Sequence, residues 1–106
     1  MKVYLDDIRP TPEGFIRCYT PTEVIALLQT GQVTLVSLDH DLGLQDNGRE
    51  ITGNDVVLWI EEQVVLHHMT PPEIVVHSDN PSGIDKMRRG IQQIQRLHQR
   101  NCGHKG

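Results

Sequence analysis

The chain has 106 residues, which suits one domain able to bury a core without cross-links. With 37% hydrophobic and 23% charged residues and a formal net charge of −4, it reads as a soluble globular protein rather than a disordered one. Two cysteines, Cys18 and Cys102, exclude a disulfide framework or a zinc knuckle and read as free thiols in a reducing compartment.

No apolar run approaches the roughly 20 residues that span a bilayer, so no membrane association is expected. Charge follows directly on Met1–Leu5, so no signal peptide is expected and the cytoplasm is the default location. One Phe, one Trp and two Tyr leave a mostly aliphatic core. Charge is unevenly placed. Residues 81–106 carry six of the ten Lys and Arg but a single acid, Asp85. That predicts a basic helix beside an acidic body, either as a solvated face or as a guide for an anionic substrate.

In chain order, residues 2–6 read as a first strand ending in acid. The turn-rich stretch Arg9–Gly14 follows, and residues 15–19 form a second strand. Thr20 caps a first helix, with Pro21 at its first position and Glu23 completing a capping box. Val24, Ile25, Leu27 and Leu28 form its apolar stripe, and Gly31 stops it. Residues 33–38 are a third strand, apolar enough for the middle of a covered sheet. Residues 39–53, rich in Gly, Asp and Asn, read as a polar loop.

A second helix is predicted over about 54–68, with Val56, Val57, Ile60 and Val64 inward and Trp59 at its edge. Pro71 and Pro72 prevent its continuing. Residues 73–78 are a fourth strand. Ser82 can cap a last helix whose Ile84, Met87, Ile91 and Ile94 recur at helical spacing. One domain is expected over 1–100, with a flexible tail over 101–106.

This β-β-α-β-α-β-α order implies right-handed crossovers and a parallel sheet covered on both faces. Ligands of such sheets sit outside the carboxyl ends of the strands, where strand order reverses. Three strands end there in polar clusters. The first gives Asp6-Asp7 and then Arg9, the third gives Asp39-His40-Asp41, and the fourth gives His77-Ser78-Asp79-Asn80.

Four carboxylates crowded on one rim would repel, and a hard divalent cation removes the conflict. Asp6, Asp7, Asp39 and Asp41 are therefore candidate ligands for Mg2+ or Mn2+, and nearby imidazoles also admit Zn2+. Arg9 can grip a phosphate with a planar fork of donors, and Ser78 and Asn80 can add neutral hydrogen bonds. Amides near Ser82 and Gly83 can add a helix N-terminus. His40 and His77 are candidate acid and base, with structural roles open for both. His67 and His68 are assigned to the negative end of the second helix.

The acid pair Asp6-Asp7, an aspartate after the third strand and the hydroxyl of Ser78 after the fourth resemble the receiver domain of bacterial response regulators. That resemblance implies a three-layer, flavodoxin-like (Rossmannoid) fold with a mostly parallel four-stranded sheet. It also implies that Asp39, with Asp41 as a rival, stands at the phosphoacceptor position. The fifth receiver strand and its lysine are missing.

A closer resemblance is to small receiver-like domains of cyclic phosphate processing. It is carried by Leu5-Asp6-Asp7-x-Arg9-Pro10-x-Pro12, by Ser37-Leu38-Asp39-His40-Asp41-Leu42-Gly43 and by His77-Ser78-x-Asn80-Pro81. This second resemblance implies a metal-dependent phosphoesterase acting on a cyclic nucleotide or an RNA end, with His40, His77, Asp39 and Arg9 catalytic. The alternative is a degenerate receiver that takes phosphate or binds a protein partner without catalysis. Oligomeric state is left open.

Overall fold

The computed structural model describes residues 1–102. The elements are β1 (Lys2–Leu5), β2 (Phe15–Cys18), α1 (Pro21–Leu28), β3 (Leu35–Leu38), β4 (Asp41–Asp46), β5 (Arg49–Thr52), α2 (Asn54–His67), β6 (Glu73–Val76) and α3 (Pro81–Cys102). Strands β2, β1, β3 and β6 form, in that order, a four-stranded sheet with every pair parallel. With three helices this is the receiver-like α/β fold expected from the alternation of patterns. No helix among the described residues is long and apolar enough to cross a membrane.

The pleat sorts the strand residues into two sets. Val3, Leu5, Val36 and Leu38 are fully buried and join one core with Val24 and Leu28 of α1, four residues of α2, and Met87 and Ile94 of α3. All three helices therefore lie on one face. Handedness explains this for α1 and α2, and α3, which follows the last strand, packs beside α2. The chain steps one way from β1 to β2 and the other way from β2 through β3 to β6, so right-handed crossovers place the two kinds of connection on opposite faces.

The layer on the second face is thin. It is the connection between β1 and β2, held where Arg17 Nη1 donates to the Arg9 carbonyl and, at 3.1 Å, to Thr11 Oγ1. Beneath that layer lie Tyr4 and Ser37, both buried, while Val75 near the far edge is exposed.

Local chemistry sets the helix ends. Thr20 and Glu23 form the expected capping box of α1. The cap of α3 is Asn80 rather than Ser82, because its Oδ1 accepts from the Gly83 amide at 3.1 Å. Pro81, with its fixed φ and no N–H to satisfy, takes the first helical position two residues earlier than expected. The helix continues through Asn101 and Cys102, where a tail was expected, and residues 103–106 lie outside the described residues. Its basic side chains are exposed, with Arg89 on Asp85.

The stretch 39–53 is not a loop throughout. Strands β4 and β5 pair as an antiparallel hairpin. Asn47 and Gly48, both at positive φ, make its tight turn, the backbone that a two-residue hairpin connection requires. Gly43, at φ +66, sits where the register shifts between Asp41 and Leu44, as a bulge with a left-handed residue requires.

Two outcomes follow from the packing. A Cβ on Gly90 of α3 would lie 2.6 Å from Cγ1 of the fully buried Val57 of α2. Gly90→Ala is therefore expected to lower the melting temperature, because overpacking of about 1–3 kcal/mol exceeds the roughly 1 kcal/mol gained in helix propensity. An unchanged or higher melting temperature would show that the two helices can part. Burial, helped by the nearby Glu23 carboxylate, pushes the Cys18 thiol up to about 11. In native protein at neutral pH, Cys102 is expected to react fast with a thiol reagent and Cys18 only at the rate of unfolding.

Candidate metal and phosphate site

Strand order reverses between β1 and β3, and the carboxyl ends of these strands open into a cleft of about 410 Å³. Its walls are Asp6, Asp7 and Arg9 after β1, Asp39 and Asp41 after β3, and Ser78 and Asp79 after β6. A slightly larger hollow, of about 460 Å³ around Leu28, Val33, Trp59 and Met69, lies at the other end of β3 and carries no ionisable side chain.

Asp6 is the buried centre of the site, with 1% of its surface exposed. Its Oδ1 accepts from the amides of Ile8 at 2.8 Å and Arg9 at 2.9 Å, because the chain turns back over the carboxylate directly after β1. Its Oδ2 meets Nε2 of His77 at 3.0 Å and lies 3.7 Å from Arg9 Nη1. Burial alone would raise the Asp6 carboxyl. The two amides and the His77 ring outweigh it and hold the group below its ordinary value.

Asp39 is the opposite case. Burial and the nearby Asp6 charge raise its carboxyl, against hydrogen bonds from the His40 amide and the Ser78 hydroxyl and the charge of His77. One oxygen from each of Asp6, Asp7 and Asp39 falls within 4.8 Å of the others. Three converging carboxylates, one of them destabilised as an anion, fit a hard divalent cation such as Mg2+ or Mn2+. A carboxylate has about four lone-pair positions, so Asp6 keeps one on Oδ2 for such an ion.

Asp41 faces the cleft but stands outside this cluster. It opens β4, which leads away from the rim, and its carboxylate is tied to His40 Nδ1 at 2.7 Å and to Asn80 Nδ2 at 3.2 and 3.3 Å. His40 and Asn80 hold it below its ordinary value despite some burial. Among the described residues, three of the four expected ligands thus come together.

The expected phosphate-binding residues divide in the same way. Arg9 reaches the cleft, its Nη2 on Asp79 at 2.8 Å and its Nη1 on the His77 carbonyl at 3.2 Å. Asp79 is 93% exposed, so this pair is weak and its Arg9 fork is available to an anion. Ser78 lines the cleft and accepts from the Asn80 amide at 3.1 Å. Asn80 instead spends its carbonyl on the α3 cap and its amide on Asp41.

Neither histidine lines the cleft. The ring of His40 packs against Gly83, where any Cβ would collide with it. His77 lies behind Asp6, stacked on Tyr4, and burial holds its ring below the ordinary value against the pull of Asp6. Reading by residue type missed Asp79 as the partner of Arg9, and it missed Ser37, whose Oγ is 2.6 Å from His77 Nδ1. A serine inside an otherwise apolar strand was the available signal, since a buried hydroxyl demands a partner.

No curated protein and no solved structure matches the chain. The family model of the cyclic-phosphate processing receiver domain matches residues 1–93, which take in all three clusters that build the cleft. The chain belongs to the cyclic-phosphate processing receiver domain family.

Proposed function

We propose that the chain is a metal-dependent phosphoesterase that opens cyclic phosphates. The observation that carries this reading is the convergence of Asp6, Asp7 and Asp39 within 4.8 Å, beside Arg9. Opening a cyclic phosphate needs charge stabilisation on the phosphoryl oxygens, a positioned water and a proton for the leaving oxygen. Asp6, Asp7 and Asp39 hold the ion. Bound there, Mg2+ or Mn2+ supplies positive charge to the phosphoryl group and makes water more acidic.

Arg9 takes the non-bridging oxygens when phosphate displaces the exposed Asp79. Ser78 adds a hydroxyl to the same group. His77 lies behind Asp6, stacked on Tyr4, which leaves His40 as the rim's imidazole for moving a proton. Asp41 on Nδ1 fixes the orientation of His40.

Two experiments test the reading. Titration with Mn2+ or Mg2+ is expected to raise the melting temperature, because the ion prefers the native state, and Asp39→Asn should remove that response. The same substitution should raise stability at neutral pH without metal. A raised carboxyl means that the folded state resists ionising Asp39. The penalty is absent below the ordinary value near 3.9, grows as pH rises through the raised one, and is never incurred by asparagine. A full metal response in Asp39→Asn would place the ion elsewhere.

Protein with Mn2+ or Mg2+ is expected to open a nucleoside 2′,3′-cyclic phosphate, as followed by chromatography of the products. Arg9→Ala should weaken binding and turnover together, and His40→Ala should slow turnover by about a hundredfold. Failure to turn over any cyclic phosphate with any divalent ion would leave a receiver-like binding module.

A further inference from the structure

We infer that His77 is a positioning residue, fixed by Ser37 and Tyr4 so that its Nε2–H orients Asp6, and that it does not carry a proton to or from substrate. The inference rests on the reading of Asp6 as a metal ligand and assigns the layer behind that ligand.

The placement begins with register. Tyr4 of β1, Ser37 of β3 and Val75 of β6 stand in one row of the sheet. His77 lies two residues beyond Val75, on the same face by the pleat. Its amide donates to the Leu38 carbonyl at 2.9 Å, which extends the β3–β6 pairing past the end of the strand. The ring is then stacked on Tyr4, with centroids 4.2 Å apart and planes 1° from parallel. Bringing the ring round to the cleft would break this stack and both nitrogen contacts of the ring.

In that orientation both nitrogens are committed. Nε2 is 3.0 Å from Asp6 Oδ2, and an ionised carboxylate only accepts, so Nε2 bears the hydrogen. In the neutral ring Nδ1 is then the acceptor, and the Ser37 hydroxyl 2.6 Å away is its donor. The carbonyl of His77 accepts from Arg9 Nη1 at 3.2 Å.

Every polar group of His77 is thus spent on the protein. An acid or base must reach the proton it moves, directly or through one water. His77 is separated from the cleft by Asp6 itself. What the ring does reach is the carboxylate oxygen that has one lone pair to offer an ion. A hydrogen bond from behind fixes the direction of that lone pair, as partners behind a ligand do in metal sites generally. Ser37 fixes the tautomer that makes the bond possible.

The closing experiment has two parts. In metal-free protein near neutral pH, long-range proton–nitrogen NMR of His77 is expected to show a protonated Nε2 and an unprotonated Nδ1. The opposite tautomer, or rapid averaging of the two, would overturn the inference whatever the protein catalyses. Mn2+ affinity is then measured in the wild type, His77→Ala and His77→Gln. Glutamine sets an amide N–H near the place of Nε2 but neither takes up nor gives up a proton near neutral pH.

Alanine is expected to weaken Mn2+ binding by about 10–100-fold, the usual cost of losing such a partner, and glutamine to restore most of it, with turnover following affinity. If both variants keep wild-type Mn2+ affinity and are equally inactive, His77 is a proton carrier and the inference fails. If the wild type binds no divalent ion, the metal reading of the Asp6–Asp7–Asp39 cluster fails, and the NMR result alone decides whether His77 is held as inferred.

Discussion

A carboxylate with 1% exposure has to be kept ionised by the protein around it, and Asp6 organises the rim on that account. Its anion is held by two amides from the turn at Ile8 and Arg9, by the His77 ring and, at longer range, by the Arg9 guanidinium. Each contact constrains a different segment. The amides fix how the chain leaves β1, His77 ties the end of β6 to β1, and Arg9 is drawn back over the rim towards Asp79. Breaking any one leaves a buried charge or a buried donor without a partner, which is costlier than losing an exposed ion pair.

The neighbouring Asp39 feels the same charge as a penalty. Two buried carboxylates side by side take opposite shifts because the donors around Asp6 outweigh its burial, while burial and the Asp6 charge outweigh the donors on Asp39. That asymmetry is what makes a cation a natural third party at the cleft. Asp41 escapes it through His40 and Asn80, and so belongs to the wall that braces α3 rather than to the carboxylate cluster.

The face with no helices has a part in this. Tyr4, Ser37 and His77 lie on it, and the connection from Asp7 to Gly14 crosses it. Because no helix among the described residues fills that side, a single loop both seals the polar row behind Asp6 and delivers Arg9 to the cleft in front of it. The sheet's two faces therefore separate two tasks, aliphatic packing on one and support of the acid rim on the other.

Strand and helix order, the capping box of Thr20 and Glu23, and the convergence of acids on one rim were all legible in the residues, because hydrophobic period and strand-end position are local properties. The hairpin was legible but passed over. Asn47-Gly48 marks a two-residue turn, yet its flanking strands are polar and carry no apolar alternation to support it. The shift of the α3 cap from Ser82 to Asn80 was decided by Pro81, whose ring admits the helix two residues early. The sequence by itself placed Asp6, Asp7, Asp39, Asp41, Arg9, His40 and His77 near one another. Only the tertiary structure decided which of them face the cleft. Side-chain direction at a strand end depends on register with distant strands, as with Ser37 to His77 and Asp6 to His77, which are 40 and 71 residues apart. No local pattern encodes that register.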